Sequence, residues 1–315
     1  MTGSPTTSAI LGLVVVVLLW GVNFSVVKDA LNLVDPLVFN GGRFLLAGAA
    51  LAILRPASLE IDRSDLIPLA GLGIVGHTAY QVGFIFGLDG TLAGNGAVIL
   101  AAAPIWTLMF AVLVGQEAWR PALGAAAVLG LAGIGLVMAG GAGGLAISRD
   151  TVRGDLLMAG ASVCWALYTV AGRRLVLKYG ALTVTTWAIW IGGLPLVLAA
   201  LPGAMETPWQ DLPFPVWLQM AYAGLGAIAA AYVLWYRGVE VLGSSTTALW
   251  SNLVPCVALV VAWSWLRERP TGLQILGALV VLASVALARR AVPVDRGGSG
   301  AAATPDGRSG RPVRP

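Results

Sequence analysis

Charge is scarce in this chain of 315 residues: 19 basic and 15 acidic side chains amount to 11% of it, where a soluble domain carries roughly a quarter. A soluble surface cannot be covered with so few charges, so lipid must be the solvent for most of the chain. There is one histidine, His77, and there are two cysteines, Cys164 and Cys256, both inside apolar runs. Such cysteines behave as small hydrophobes and imply no disulfide framework. No His-Glu-x-x-His, no Gly-x-Ser-x-Gly and no Asp or His cluster at metal spacing occurs, which argues against an intramembrane enzyme and against a metal site. A phosphate-binding lysine in a glycine-rich loop is also missing, so neither ATP nor any other cofactor is expected. The segment Met1 to Ser8 lacks a positive leader, so the first apolar run is expected to persist as a helix.

What the chain does have is 58% hydrophobic residues gathered in repeated runs. About 20 apolar residues in a helix cross a bilayer, because lipid satisfies no backbone polar group. The runs predict an all-α integral membrane protein with ten spans, at 9–29, 36–54, 66–88, 92–115, 121–140, 154–173, 181–201, 214–236, 243–266 and 271–289. The organisation expected is an N-terminal cytoplasmic segment 1–8, a first five-helix repeat 9–140, a loop 141–153, a second repeat 154–289 and a disordered cytoplasmic tail 290–315. Four of the arginines lie beyond Ala291 in that tail (Arg296, Arg308, Arg311 and Arg314), so the net charge of +4 does not point to nucleic acid. With both termini cytoplasmic, Arg55, Arg63, Arg120, Arg173, Arg174, Lys178 and Arg237 fall inside and Lys28, Arg149, Arg153, Arg267 and Arg269 outside, the direction of the positive-inside rule.

The halves resemble each other. Pro104 and Glu117 match Pro255 and Glu268 at one constant offset, which Gly87 and Gly238 share; Trp20 with Lys28 lines up with Trp165 and Arg173. An odd number of crossings per copy makes the second copy enter from the opposite side, giving two inverted repeats, an architecture that suits secondary transport by alternating access.

At Trp20-Gly21-Val22-Asn23-Phe24 with Lys28, at Pro36 to Arg43-Phe44, and at the Pro/Glu-marked fourth helix of each half, the chain resembles the EamA-type branch of the drug/metabolite transporter superfamily over residues 9–289. The resemblance implies a ten-helix exporter of amino acids or other small metabolites in the cell membrane, with a cavity lined by the first, third and fourth helices of each half. Ala166 stands where the first half has Gly21, and Ala188 stands opposite Arg43, so only one half supplies that arginine. A multidrug or cation–proton antiporter is the alternative, and its small multidrug-resistance form would call for a carboxylate between Ala9 and Val27, where none occurs. A non-transporting receptor is a further one. The partners implied are the lipid bilayer, a small-molecule substrate and, as an expectation, a second copy in a homodimer.

Polar side chains inside a membrane turn to the protein interior or to a wet cavity. Trp20 and Asn23 share one helix face, as do His77 and Gln81; Asn95 follows, and the second half offers Trp165, Tyr168, Tyr232, Trp250 and Asn252. These ten are the candidate substrate-binding residues, weighed against helix packing and interhelical hydrogen bonding. His77 reads either as a proton carrier or as a neutral packed residue. Arg43 reads either as a site for an anionic group or as a partner of Asp29, Asp35 or helix-end carbonyls, and Lys28 admits the same pair of readings. Pro104 and Pro255 are expected to kink their helices. Trp119 and Trp217 read as interfacial anchors, and Glu117 and Glu268 as interfacial charges near arginines. Gly71, Gly73 and Gly76 match a dinucleotide fingerprint formally, but inside an apolar run they read as small-residue helix packing. Gly90 to Gly94 reads as a turn and helix start.

Overall fold

The computed structural model describes residues 5–54, 59–116, 118–119, 121–140, 149–267 and 269–291. Glu117, Arg120, Glu268 and the tail from residue 292 lie outside the described residues, as does most of the 141–153 loop. In chain order the helices are α1 (Pro5–Ala30), α2 (Pro36–Leu54), α3 (Leu66–Gly73), α4 (Tyr80–Asp89), α5 (Ala93–Leu100), α6 (Ala103–Leu113) and α7 (Pro121–Gly140), then α8 (Arg149–Tyr179), α9 (Ala181–Glu206), α10 (Phe214–Ala221), α11 (Ala231–Leu242), α12 (Ser244–Trp250), α13 (Val254–Val261) and α14 (Gly272–Ala291). No strand occurs among the described residues.

Among the described residues seven continuous helical stretches are long and apolar enough to cross a membrane: Pro5–Ala30, Pro36–Leu54, Arg63–Asp89, Ala93–Leu113, Thr151–Tyr179, Ala181–Glu206 and Phe214–Leu242. Two helices start before the apolar runs that announced them, α1 at Pro5 and α8 at Arg149. Backbone hydrogen bonding, not side-chain polarity, decides where a helix stops, so a polar first turn extends beyond the lipid-facing part.

The third stretch of each half carries a π-helical section, Ile74–Ala79 in one and Tyr222–Ala230 in the other. A π turn displaces the regular ladder and frees a carbonyl, and the oxygen of Ala227 accepts a hydrogen bond from Trp20 Nε1 at 2.9 Å. The prolines act differently from expectation. Pro104 is the second residue of α6, after a turn at Ala101 and Ala102, and Pro255 is the second residue of α13, after a 3₁₀ turn at Ser251–Leu253. A proline has no N–H to give the carbonyl four residues back, yet it suits a first helical turn. Each of these helices therefore breaks and restarts instead of bending around an interior proline.

Small residues set the contacts. A Cβ on Gly192 would lie 2.0 Å from the backbone oxygen of Gly73, so α9 and α3 touch backbone to backbone; Gly73 thus packs helices, as does Gly76 against the Tyr168 ring. Gly180 and Gly243, at φ of +81° and +84°, join consecutive helices with a single residue in a conformation that glycine adopts freely.

Packing partners are exchanged between the halves. α1 lies against α11 and α13, and α8 lies against α4 and α6; α2 faces α9, and α7 faces α14. Lys28 near the C-terminus of α1 reaches the carbonyls of Leu88 and Asp89, at one end of the Arg63–Asp89 stretch. Lys178 near the C-terminus of α8 reaches Asp62 and Asp65 at the other end. α1 and α8 consequently run in opposite directions.

Candidate functional site

A cavity of about 40 Å³ lies where α1, α4 and the α5–α6 break meet α8, the Tyr222–Ala230 π section and the Ser251–Leu253 break. Its wall includes Trp20, Asn23 and Phe24 from α1, Tyr80, Gln81 and Phe84 from α4, Trp165 from α8, Tyr232 from α11, and Ser251. Ala101 and Ala103 on one side and Ser251 and Val254 on the other bring both helix breaks to its edge. Its volume leaves room for ordered water and is far below the roughly 300–1,000 Å³ of an ordinary ligand pocket.

The aromatic wall is continuous. The Trp20 ring lies 5.2 Å from that of Trp165 in an edge-on contact and 6.0 Å from that of Tyr232, and Tyr80 lies 5.2 Å from Trp165. Such edge and tilted pairs are favourable geometries for aromatic quadrupoles. Polar atoms are few: Asn23 Oδ1 has no hydrogen-bond partner among the described residues, and Ser251 donates to Ala248 O.

Behind Gln81 stands Arg43, 1% exposed, the most buried cation described. Its Nε donates to Asn40 Oδ1 at 2.8 Å and its Nη2 donates to Gln81 Oε1. Its guanidinium carbon lies 5.4 Å from the Phe84 ring centroid and 6.0 Å from that of Phe39. The expected partners are engaged elsewhere: Asp35 caps α2 by accepting from Leu37 N and Val38 N, and Asp29 accepts from Gln219. Asn40, three residues before Arg43 on the same helix face, is a partner that helical spacing allows. Lys28 closes the C-terminal end of α4 through its carbonyls, a structural role.

Of the ten candidates, the structure brings Trp20, Asn23, Gln81, Trp165 and Tyr232 to the cavity wall. His77 and Tyr168 sit one layer behind. The His77 ring stacks on Tyr232 at 5.2 Å and meets Tyr168 at 5.0 Å, and neither of its nitrogens has a partner among the described residues. Asn95 points away and accepts from Gln274 of α14. Trp250 and Asn252 line a separate groove of about 350 Å³ facing Leu282 and Ala286 of α14. Trp119 and Trp217, 59% and 42% exposed, keep the exposure that interfacial anchors need.

Phe24, Tyr80 and Phe84 complete the wall beyond the candidates. Tyr80 falls between His77 and Phe84 at helical spacing, a signal that the polar stripe beside it obscured. A second polar cluster escaped sequence reasoning altogether. The buried carboxylate of Asp65 accepts from Lys178 Nζ at 2.6 Å, Tyr179 OH at 2.8 Å and Arg174 Nη2 at 3.2 Å. Asp62 accepts from the same Lys178 at 2.6 Å, and that bond holds the Asp62 carboxyl below the usual carboxylate range.

The EamA-like transporter family pattern matches residues 7–139 and again 152–290. A protein of Streptantibioticus cattleyicolor named "Probable terminal-alkyne amino-acid exporter" is 31% identical over 290 residues, covering 90% of this chain and 94% of that one. The Bacillus subtilis protein named "Uncharacterized transporter YyaM" is 27% identical over 280 residues, with 88% and 92% covered. The "Aromatic amino acid exporter YddG" of Ancylobacter novellus is 26% identical over 230 residues, with 71% and 77% covered. A crystal structure of a protein 21% identical superposes with a TM-score of 0.68 over 91% of this chain and 98% of that chain, a likeness of fold.

Proposed function

Because the chain belongs to the EamA-like transporter family, a family of membrane transporters and not of enzymes, we propose that it is a secondary exporter of small metabolites such as amino acids, working by alternating access between two inverted five-helix halves. The observation that carries this reading is the cavity itself, walled by equivalent elements of both halves and bordered by both helix breaks. Broken helices at a midplane site are how transporters expose backbone and side chains to a solute within the bilayer. The opposite directions of α1 and α8, and the exchanged packing of α1 on α11 and α13 against α8 on α4 and α6, support the inversion.

On this reading the seven apolar stretches are joined by α7, the 244–266 stretch and α14 to make ten crossings with both termini cytoplasmic. The relatives named as amino-acid exporters support amino acids as the solute class. No carboxylate lines the cavity among the described residues, so a cation–proton antiporter lacks its usual proton carrier there.

The test is flux of labelled amino acids out of vesicles holding the purified protein. Asn23→Ala and Trp165→Ala, one from each half, are expected to lower flux at least tenfold, a loss of about 1.4 kcal/mol in transition-state binding, while the protein still inserts. Wild-type flux in both variants removes these residues from the site.

A further inference from the structure

The hydrogen bonds around Arg43 run in one direction. A guanidinium has donors and no acceptor, so Gln81 must turn its oxygen toward Arg43 and its amide N–H groups away. One of those N–H groups goes to the hydroxyl oxygen of Tyr232 at 2.8 Å. With that oxygen accepting, the Tyr232 hydrogen and the second N–H of Gln81 are left to donate, and both residues line the cavity. The polar end of the cavity is thus a wall of donors with a positive charge directly behind it.

That charge has no counter-ion among the described residues. Among the described residues no carboxylate lies within 4.0 Å of Arg43, and the guanidinium is held by one amide oxygen on each side and by two ring faces. A buried cation without an anion is costly inside a membrane protein, and such residues are kept where a ligand supplies the missing charge. The remaining wall, with Trp20, Phe24, Tyr80, Phe84 and Trp165, fits an apolar body.

Resting on the transporter reading above, we propose that the solute is a small carboxylate with an apolar body. Its carboxylate is received by Gln81 and Tyr232, and Arg43 is a positioning residue that fixes the polarity of that pair and balances the solute's charge. The second half carries Ala188 opposite Arg43, so the charge acts from one side of the cavity only.

The test is quenching of tryptophan fluorescence in the purified full chain by phenylpropionate and by phenethylamine, two probes alike in shape and opposite in charge. The acid is expected to bind at least about tenfold more tightly than the amine. Gln81→Glu keeps the side-chain shape but presents an acceptor to the cavity, and should abolish or reverse that preference with unfolding unchanged. Arg43→Gln should weaken the acid about tenfold and leave the amine unaffected, and Arg43→Lys should restore much of the loss; a merely structural role would weaken both probes alike. Equal affinity for acid and amine, an unaltered preference in Gln81→Glu, or no saturable quenching by either probe would overturn the assignment. Acid-selective binding without vesicle flux would retire the transport reading and keep this one, whereas flux without charge preference would do the reverse.

Discussion

The two ends of the Arg63–Asp89 stretch are fastened by different chemistry. At the Asp65 end, two carboxylates, two cations and a tyrosine hydroxyl from α8 close on one another, and Trp187 Nε1 adds a bond to Leu59 O at 3.1 Å. At the Asp89 end, Lys28 meets two backbone carbonyls, and nearby Asp29 accepts one bond from Gln219 at 2.7 Å. Exposed ion pairs contribute little singly, but here Lys178 is shared between two acids, and Asp65, fully buried, would be left without its charges if the cluster parted. On the alternating access proposed above, the first end is the harder to open.

The largest effect should come from removing the charges of that cluster. In Asp65→Asn combined with Lys178→Met, the reactivity of a cysteine placed at Ser251 toward a thiol reagent supplied from the Asp65 end should rise about tenfold, the scale of an ordinary conformational bias. Unchanged reactivity would mean that the cluster only decorates the surface. At the other end, Gln219→Leu should raise the reactivity of the same cysteine from the Asp89 side about threefold, since one part-buried hydrogen bond worth roughly 0.5–1 kcal/mol is lost. A larger response there than at the ionic end would reverse the comparison. The smallest effect belongs to Glu240→Gln. Glu240 accepts from Arg237 at 2.9 Å within a single helix and so ties no two helices together. Its replacement should leave labelling unchanged, which separates a clamp across helices from mere charge density.

Seven of the ten expected spans were readable because lipid imposes one requirement on every crossing segment, a long apolar run, and the sequence shows those runs plainly. Trp20, Asn23, Gln81, Trp165 and Tyr232 were readable because a polar or indole group in such a run must turn inward. Which interior they meet is not local information. Asn95 turns to Gln274, 179 residues away, and Trp250 turns to α14, although both obey the same rule as Gln81. The ionic cluster was hidden for the same reason, since Asp65 and Lys178 are 113 residues apart and each alone looks like an ordinary loop charge. The helix breaks before Pro104 and Pro255 were located by residue type but mistaken in kind, because a proline signals a missing donor without saying whether the helix bends or restarts.

Inversion of the two halves is tested most directly at the loops that follow the second helix of each. With Cys164 and Cys256 replaced by alanine, single cysteines at Leu59→Cys and Gln210→Cys would be treated with a membrane-impermeant maleimide in intact cells. Inverted halves with cytoplasmic termini predict labelling of the Gln210 variant in intact cells and of the Leu59 variant only after permeabilisation. Labelling of both from the same face would contradict the inversion, and with it the mechanism of transport.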